Sequence, residues 1–571
     1  MEHWNRARHR EVIAMACDRL LGIRRPGRWT KPPVAALAGS LGLMCAVSAG
    51  AQDTADCVSR SLAVVNGTIH TLDAQDSIVS SVLMEAGRFV ALDPDPASFD
   101  DCTDVIDVQG RTAIPGLIDN HVHYIRIANR PGYDLRALEV TFTVDAALQA
   151  VRDKAAVVPA GALITTIGGI RRTQWQEGRF PTLEELDGAA SGNPVYLSER
   201  GAGPGQANTA GRDLLRGLGV PVTDAGEIAA GVDTARAYDV LAASLTNADR
   251  KRQMLGVADY ALSVGLTTVM DMSGTVPGVG FIDQTNGYDF FLDLVREGSH
   301  KVRTRIYFPG LDEDADLTQL MGYLNNKWPD YGPDMAKIVG IGEWSVGRSL
   351  FNEQPLGYAA RLAQRRIAER GWTYHQHLHT PEEIDAHLDV WEELNEEFDL
   401  AAMRWTPGHL SFITPELIDR ARTMGLGLGV HGQRYHAGGM GGPPWRTVIE
   451  SGLVAVGAGS DGARINTLNP WCMIYYMVTG RDVSGELIND GQQISRQQAV
   501  RLYASHQQGW FTKEDDLLGG IGVGRFADLA VLSDDVYDSD AVPVEQISHM
   551  TSVLTVVGGE VDYKTGVIER R

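Results

Sequence analysis

Cysteine is scarce, with five in 571 residues. Cys17, Cys45, Cys57, Cys102 and Cys472 include no CxxC pair and no Cys/His cluster, so a structural zinc module built on thiolates is excluded. No GxGxxG or P-loop segment supports nucleotide binding. Positive charge is also short. Lys and Arg number 51 against 73 Asp and Glu, a formal net charge of −22. That balance disfavours nucleic acid and anionic membrane surfaces as partners. Beyond residue 51 no apolar run is long enough to cross a bilayer.

What is present is ordinary soluble-protein composition, 44% hydrophobic and 22% charged. The length calls for one large domain and one or more smaller ones. Glycine is abundant, at 63 residues, which fits many tight strand-to-helix turns. The first 31 residues hold eight Lys/Arg and three Asp/Glu, and the apolar run "VAALAGSLGLMCAVSAGA" follows, ending in Ala49-Gly50-Ala51. Basic region, apolar core and small-residue site read as a cleaved signal peptide over 1–51, with export to the periplasm or the medium. A retained anchor is the competing reading. In an oxidising compartment Cys57 and Cys102 could pair; two buried free thiols are the alternative.

Residues 61–110 read as short strands with glycine turns, for example "LAVVNGTIHTLD" around Asn66-Gly67. "GVGRFADLAVLSDD" and "VLTVVGGEVDY" repeat that pattern near the other end. The two ends are expected to fold together as a β-sandwich, from 52–115 and 516–571. Between them, 116–515 alternates strand-like and helix-like stretches. Strand candidates are "LITTIG", "PVYLSE", "TTVMDM", "RTRIYFPG", "KIVGIGE", "WTYHQHL", "LGLGVHG" and "LVAVGAGS". This α/β alternation favours a parallel (β/α)8 TIM barrel over an open doubly wound sheet. Residues 125–235 break the rhythm and read as an insertion over the barrel mouth.

Catalytic groups of such a barrel stand at the C-terminal ends of its strands. "AIPGLIDNHVHY" places His121 and His123 two apart, on one side of an extended segment. "GWTYHQHLHT" offers His375, His377 and His379; "RWTPGHLSF" ends in His409; "VAVGAGSDGAR" ends in Asp461. "AKIVGIGEW" offers Lys337 at its start and Glu343 at its end. Nitrogen and oxygen donors without thiolate suit a divalent metal, zinc first, with iron or manganese as alternatives, in one or two ions.

"PGLIDNHVH", "GSDGAR" and the terminal "GVGRFADLAVLS" resemble the metal-dependent amidohydrolase superfamily. "FPTLEELD" and "GWFTKEDDLLGGI" bring the chain closer to its amidohydrolase-3 group, which includes N-substituted formamide deformylases. The similarity runs from about residue 60 onward. It implies a distorted (β/α)8 barrel with a composite β-sandwich and hydrolysis of a non-peptide C–N bond, amide-like, N-acyl or N-formyl, by a metal-bound hydroxide. By position it implies metal ligands at His121, His123, His377, His409 and Asp461, with Lys337 matching a lysine that some members carboxylate to bridge two ions. Glu343 competes for that role. Asp461 and His409 are the expected catalytic pair. His431, Arg434, Tyr435 and Glu343, with His436 nearby, are expected to meet a small-molecule substrate. Ester, lactone, deamination or decarboxylation chemistry is the alternative within this fold, and a secreted non-catalytic binding protein the alternative outside it. No membrane partner is expected once the signal is removed, and self-association into a homo-oligomer is left open.

Overall fold

The computed structural model describes residues 57, 60–199, 203–272, 288–462 and 465–568. The expected signal segment, 1–51, lies outside them. Among the described residues no helix is long and apolar enough to cross a membrane.

Eight parallel strands form the central sheet: β1 (Leu117–Val122), β2 (Leu266–Met272), β3 (Arg303–Phe308), β4 (Ala336–Ile341), β5 (Thr373–Leu378), β6 (Thr406–His409), β7 (Leu428–His431) and β8 (Val456–Gly459), paired in that order. The ring closes just past β8, where the Asp461 N–H donates to the His121 carbonyl at 2.8 Å and the His123 N–H to the Gly462 carbonyl at 2.7 Å. All six residues of β1 and all seven of β2 are buried, as expected for strands covered on both faces.

The helices between strands start where the sequence supplies caps. Thr246 and Thr380 each accept from the backbone three residues on, and Asp249 and Glu383 reach back to complete the box. These open helices Asn247–Ser263 and Pro381–Asn395. Pro415 stands in the first turn of Pro415–Thr423, where its missing N–H leaves no bond unmade.

Both chain ends build the flanking sheets. A six-stranded sheet joins Thr112–Pro115 in antiparallel register to Leu529–Leu532, 414 residues later by the pairing of Pro115 with Leu529. A four-stranded sheet holds Ser61–Val65, Val82–Glu85, Arg88–Leu92 and Thr103–Asp107. Their shared core packs Leu62, Val64, Phe89 and Ile106 against Leu529, Val531 and Leu554. Cys57 and Cys102 are joined in a disulfide. Cys472 is free and buried.

Two strand candidates for the barrel lie elsewhere. Ile164–Ile167 and Val195–Ser198 pair with each other in a separate five-stranded sheet inside the stretch between β1 and β2. The confusion has a physical cause. Both are buried parallel strands, so their apolar runs are indistinguishable from barrel strands.

Candidate metal centre

The donors converge at the C-terminal mouth. β1 ends in His121 and His123, whose residue-two spacing sends both imidazoles to one side. Their Nε2 atoms lie 3.8 and 3.2 Å from Asp461 Oδ1. Glu343, just beyond β4, sets Oε2 at 3.3 Å from His121 Nε2, 2.7 Å from His377 Nδ1 and 3.2 Å from His409 Nε2, with Oε1 3.5 Å from His123 Nε2. One carboxylate therefore stands between His121, His123 and Asp461 on one side and His377 and His409 on the other.

The backbone here is built around small residues. Asp461 has φ of 55° and His409 of 71°, left-handed conformations that turn each side chain off its strand end. A Cβ on Gly462 would lie 2.6 Å from the Thr467 carbonyl oxygen, so no side chain fits beside Asp461.

The protonation states suit ligation. Burial holds His121, His375, His409 and His431 below their ordinary value, so these imidazoles are neutral. Burial works to raise the Glu343 carboxyl. The imidazoles of His377, His121 and His409 set against it override that and hold the group well below its ordinary value. Burial pushes the Asp461 carboxyl up to about 7. Neutral imidazoles with a carboxylate are the forms a divalent ion requires. His121 Nε2 is also buried among these carboxylates without a hydrogen bond. The sets His121–His123–Asp461 and His121–Glu343–His409 each bring their ligand atoms within 4.8 Å of one another. The donor set therefore fits a divalent metal.

Lys337 is not brought to this cluster. Its Nζ donates to Glu514 Oε1 at 2.9 Å and lies 3.8 Å from Asp334. It belongs to an ion cluster at the opposite end of the barrel, where Arg305 grips Glu514 through Nε at 2.6 Å and Nη2 at 2.9 Å. The cause is position along β4. At about 3.3 Å per residue the strand separates position 337 from its C-terminal end at Ile341 by roughly 13 Å, and Glu343 lies two residues further on. Glu343 occupies the place in the cluster for which Lys337 was the expected ligand.

Of the expected substrate contacts, His431 is buried at the end of β7 and its Nδ1 accepts from the His409 N–H at 2.9 Å. Its ring is 4.2 Å from that of His121, so it underlies the cluster. Tyr435 is fully buried in the main core beside Tyr475 and Tyr476. Arg434 donates to the carbonyls of Met440 and Gly441 and shapes that glycine-rich loop. His436 Nδ1 pairs with Asn466 Oδ1.

Asp119 went unnoticed in the sequence. Its carboxyl accepts from the His121 N–H at 3.1 Å and from the N–H and hydroxyl of Ser460 at 3.0 and 2.5 Å. It thus pins β1 to the turn that carries Asp461. Its position two before His121, in phase on the same strand, is the signal that could have revealed it.

A model of the amidohydrolase family matches residues 104–563. Among curated relatives, an N-substituted formamide deformylase of Arthrobacter pascens is 29% identical over 265 residues, 42% of this chain and 48% of that protein. The chain spans about half the length of the curated relatives it matches. Among solved structures, an uncharacterized metal-dependent hydrolase from Pyrococcus furiosus aligns with a TM-score of 0.55 at 18% identity, over 84% of this chain and 100% of that one. An atrazine chlorohydrolase mutant from Arthrobacter aurescens, complexed with zinc and atraton, aligns with a TM-score of 0.52 at 17% identity, over 88% and 95%. These two structural likenesses concern the fold.

Proposed function

The chain belongs to the amidohydrolase family, and from that premise we propose that it is a metal-dependent hydrolase of a non-peptide C–N bond, with an N-formyl or N-acyl amine as substrate. The observation that carries this reading is the Glu343 carboxylate set between two groups of strand-end donors, His121, His123 and Asp461 opposite His377 and His409. These six residues would hold one or two divalent ions, zinc first. Such an ion supplies Lewis acidity, lowering the pKa of a water from 15.7 toward about 7 and polarising a carbonyl. Asp461 stands at the mouth beside His123 Nε2. Its carboxylate takes the proton of the attacking water and delivers it to the leaving nitrogen. The C–O bond forms, the C–N bond breaks, and a carboxylic acid and a neutral amine depart. Glu343 and His409 are both buried and would serve as ligands.

The formyl or acyl preference draws on the likeness to the deformylase. The Cys57–Cys102 disulfide supports export to an oxidising compartment. The test is a panel of N-formyl amines, N-acyl amines, esters and lactones, assayed for acid and amine release before and after chelation. The reading expects turnover of an amide class that chelator removes and zinc restores. Asp461→Asn should lower kcat by at least 100-fold with metal still bound. Turnover of esters alone, or near-normal kcat in Asp461→Asn, would overturn it.

A further inference from the structure

Beneath the donor cluster the barrel interior carries two further histidines, His375 on β5 and His431 on β7. Barrel interiors at this depth are ordinarily filled by branched aliphatic side chains, and an imidazole there is unfavourable unless its nitrogens are engaged. The neighbouring strands are cut away to admit these rings. A Cβ on Gly408 of β6 would lie 2.0 Å from His375 Nε2, and one on Gly429 of β7 would lie 3.1 Å from both His375 Cε1 and His431 Nε2. The two rings stack, with centroids 5.5 Å apart and an interplanar angle of 10°. His375 Nε2 approaches His121 Nδ1 at 3.1 Å, and both side chains are buried.

Two uses of this layer compete. Nitrogens of His121, His375 and His431 lie close enough together to hold an ion of their own. The tautomer of His431 argues against that. The His409 N–H donates to His431 Nδ1 at 2.9 Å, so Nδ1 presents its lone pair and the proton of the neutral ring is on Nε2. A protonated nitrogen is not a ligand, and two imidazoles alone make a poor site.

We propose instead that His375 is a positioning residue for His121, accepting a hydrogen bond from its Nδ1–H. His121 Nε2, 3.3 Å from Glu343 Oε2, then keeps the lone pair that ligation requires. Were the bond reversed, with His375 Nε2–H donating to His121 Nδ1, the His121 proton would sit on Nε2 and block it. His375 thus performs the role that a carboxylate or a peptide carbonyl commonly performs behind a metal-bound histidine. Gly408 is the residue that makes space for it. The inference rests on the reading of His121 as a metal ligand.

The experiment compares cobalt binding by metal-stripped wild type, His375→Phe and His375→Gln. Affinity is read by chelator competition, and geometry by the visible absorption of the bound cobalt. His375→Phe keeps a ring and removes the acceptor; it should weaken cobalt binding by about 10- to 100-fold and shift the visible band. His375→Gln restores an acceptor and should bring affinity back to within a few-fold of wild type. Should the Phe variant not fold, His375→Met takes its place against the Gln variant. Equal affinity and an unchanged spectrum in the variant lacking an acceptor, whatever its melting temperature, would overturn the positioning role. A wild type that takes up no cobalt would instead bring down the metal reading beneath it, so the two failures are distinguishable.

Discussion

Replacing Lys337 with methionine separates the two candidate ligands of the fourth strand. Lys337 Nζ contributes one hydrogen bond to Glu514, at 2.9 Å, and its side chain is 18% exposed. Removing one partner of a buried ion pair costs about 3–5 kcal/mol when it strands the other charge. Glu514 is not stranded. Arg305 still holds it through two bonds, at 2.6 and 2.9 Å, and the Thr512 hydroxyl donates at 3.0 Å. The loss is therefore closer to one hydrogen bond to a charged group, about 1.5–3 kcal/mol. Partial exposure of the lysine and retained packing of the methionine bring it to about 1–2 kcal/mol. With an unfolding entropy of roughly 2.1 cal/mol/K per residue, a chain of this size loses only about 1–2 °C in Tm if it unfolds as one unit. Differential scanning fluorimetry reads that shift, and elemental analysis reads the metal. Metal content and kcat should be unchanged. Loss of metal at an unchanged Tm would return Lys337 to the mouth as a carboxylated ligand.

Three further outcomes follow from the same geometry. The Cys57–Cys102 bridge spans 45 residues, and the loop-entropy relation gives about 4 kcal/mol for such a loop. The double serine variant should melt about 4 °C lower, and an unchanged Tm would show that the bridge constrains nothing that unfolds. Asp271 is buried, accepts from the Ile125 N–H, and is raised by burial from 3.8 to about 7. A raised carboxyl pKa means the fold binds the proton more tightly than the unfolded chain, so this group's contribution falls as pH rises from about 4 to about 7 and is level above. Asp271→Asn should therefore gain on wild type across that window, by a few kcal/mol at most; a difference independent of pH would contradict it. Asp119→Ala removes the acceptor for the His121 and Ser460 N–H groups, and should weaken metal binding without touching any ligand. Unchanged affinity by chelator competition would show that β1 is held by other means.

Much of this arrangement was legible in the sequence because several barrel strands announce their ends chemically. His121-Val122-His123, His409 and Gly459-Ser460-Asp461 sit where an apolar run gives way to a polar or glycine turn, and capping threonines mark the helices between them. Lys337 was harder. A strand shows which side chains share a face, but not which end of the barrel a position occupies until its length is known, and β4 begins at Ala336. Tyr435 misled for another reason. Residue type suggests polar contact, whereas the 470–479 helix packs around it; Gly408 likewise makes an interior slot for His375. Such slots come from residues distant in the chain. The insertion's strands Ile164–Ile167 and Val195–Ser198 read as barrel strands because buried parallel strands look alike whichever sheet they join.

At the mouth of this barrel Glu343 is proposed to serve both donor groups of a metal centre. The most direct measurement is the metal content of the full chain and of Glu343→Ala, each purified without chelator and analysed for zinc, iron, manganese and cobalt alongside protein concentration. One to two equivalents of divalent metal are expected in the wild type and a clear loss in the variant, with the fold intact by circular dichroism. A wild type without metal that still turns over its substrate, or a Glu343→Ala variant that keeps the full complement, would contradict that role.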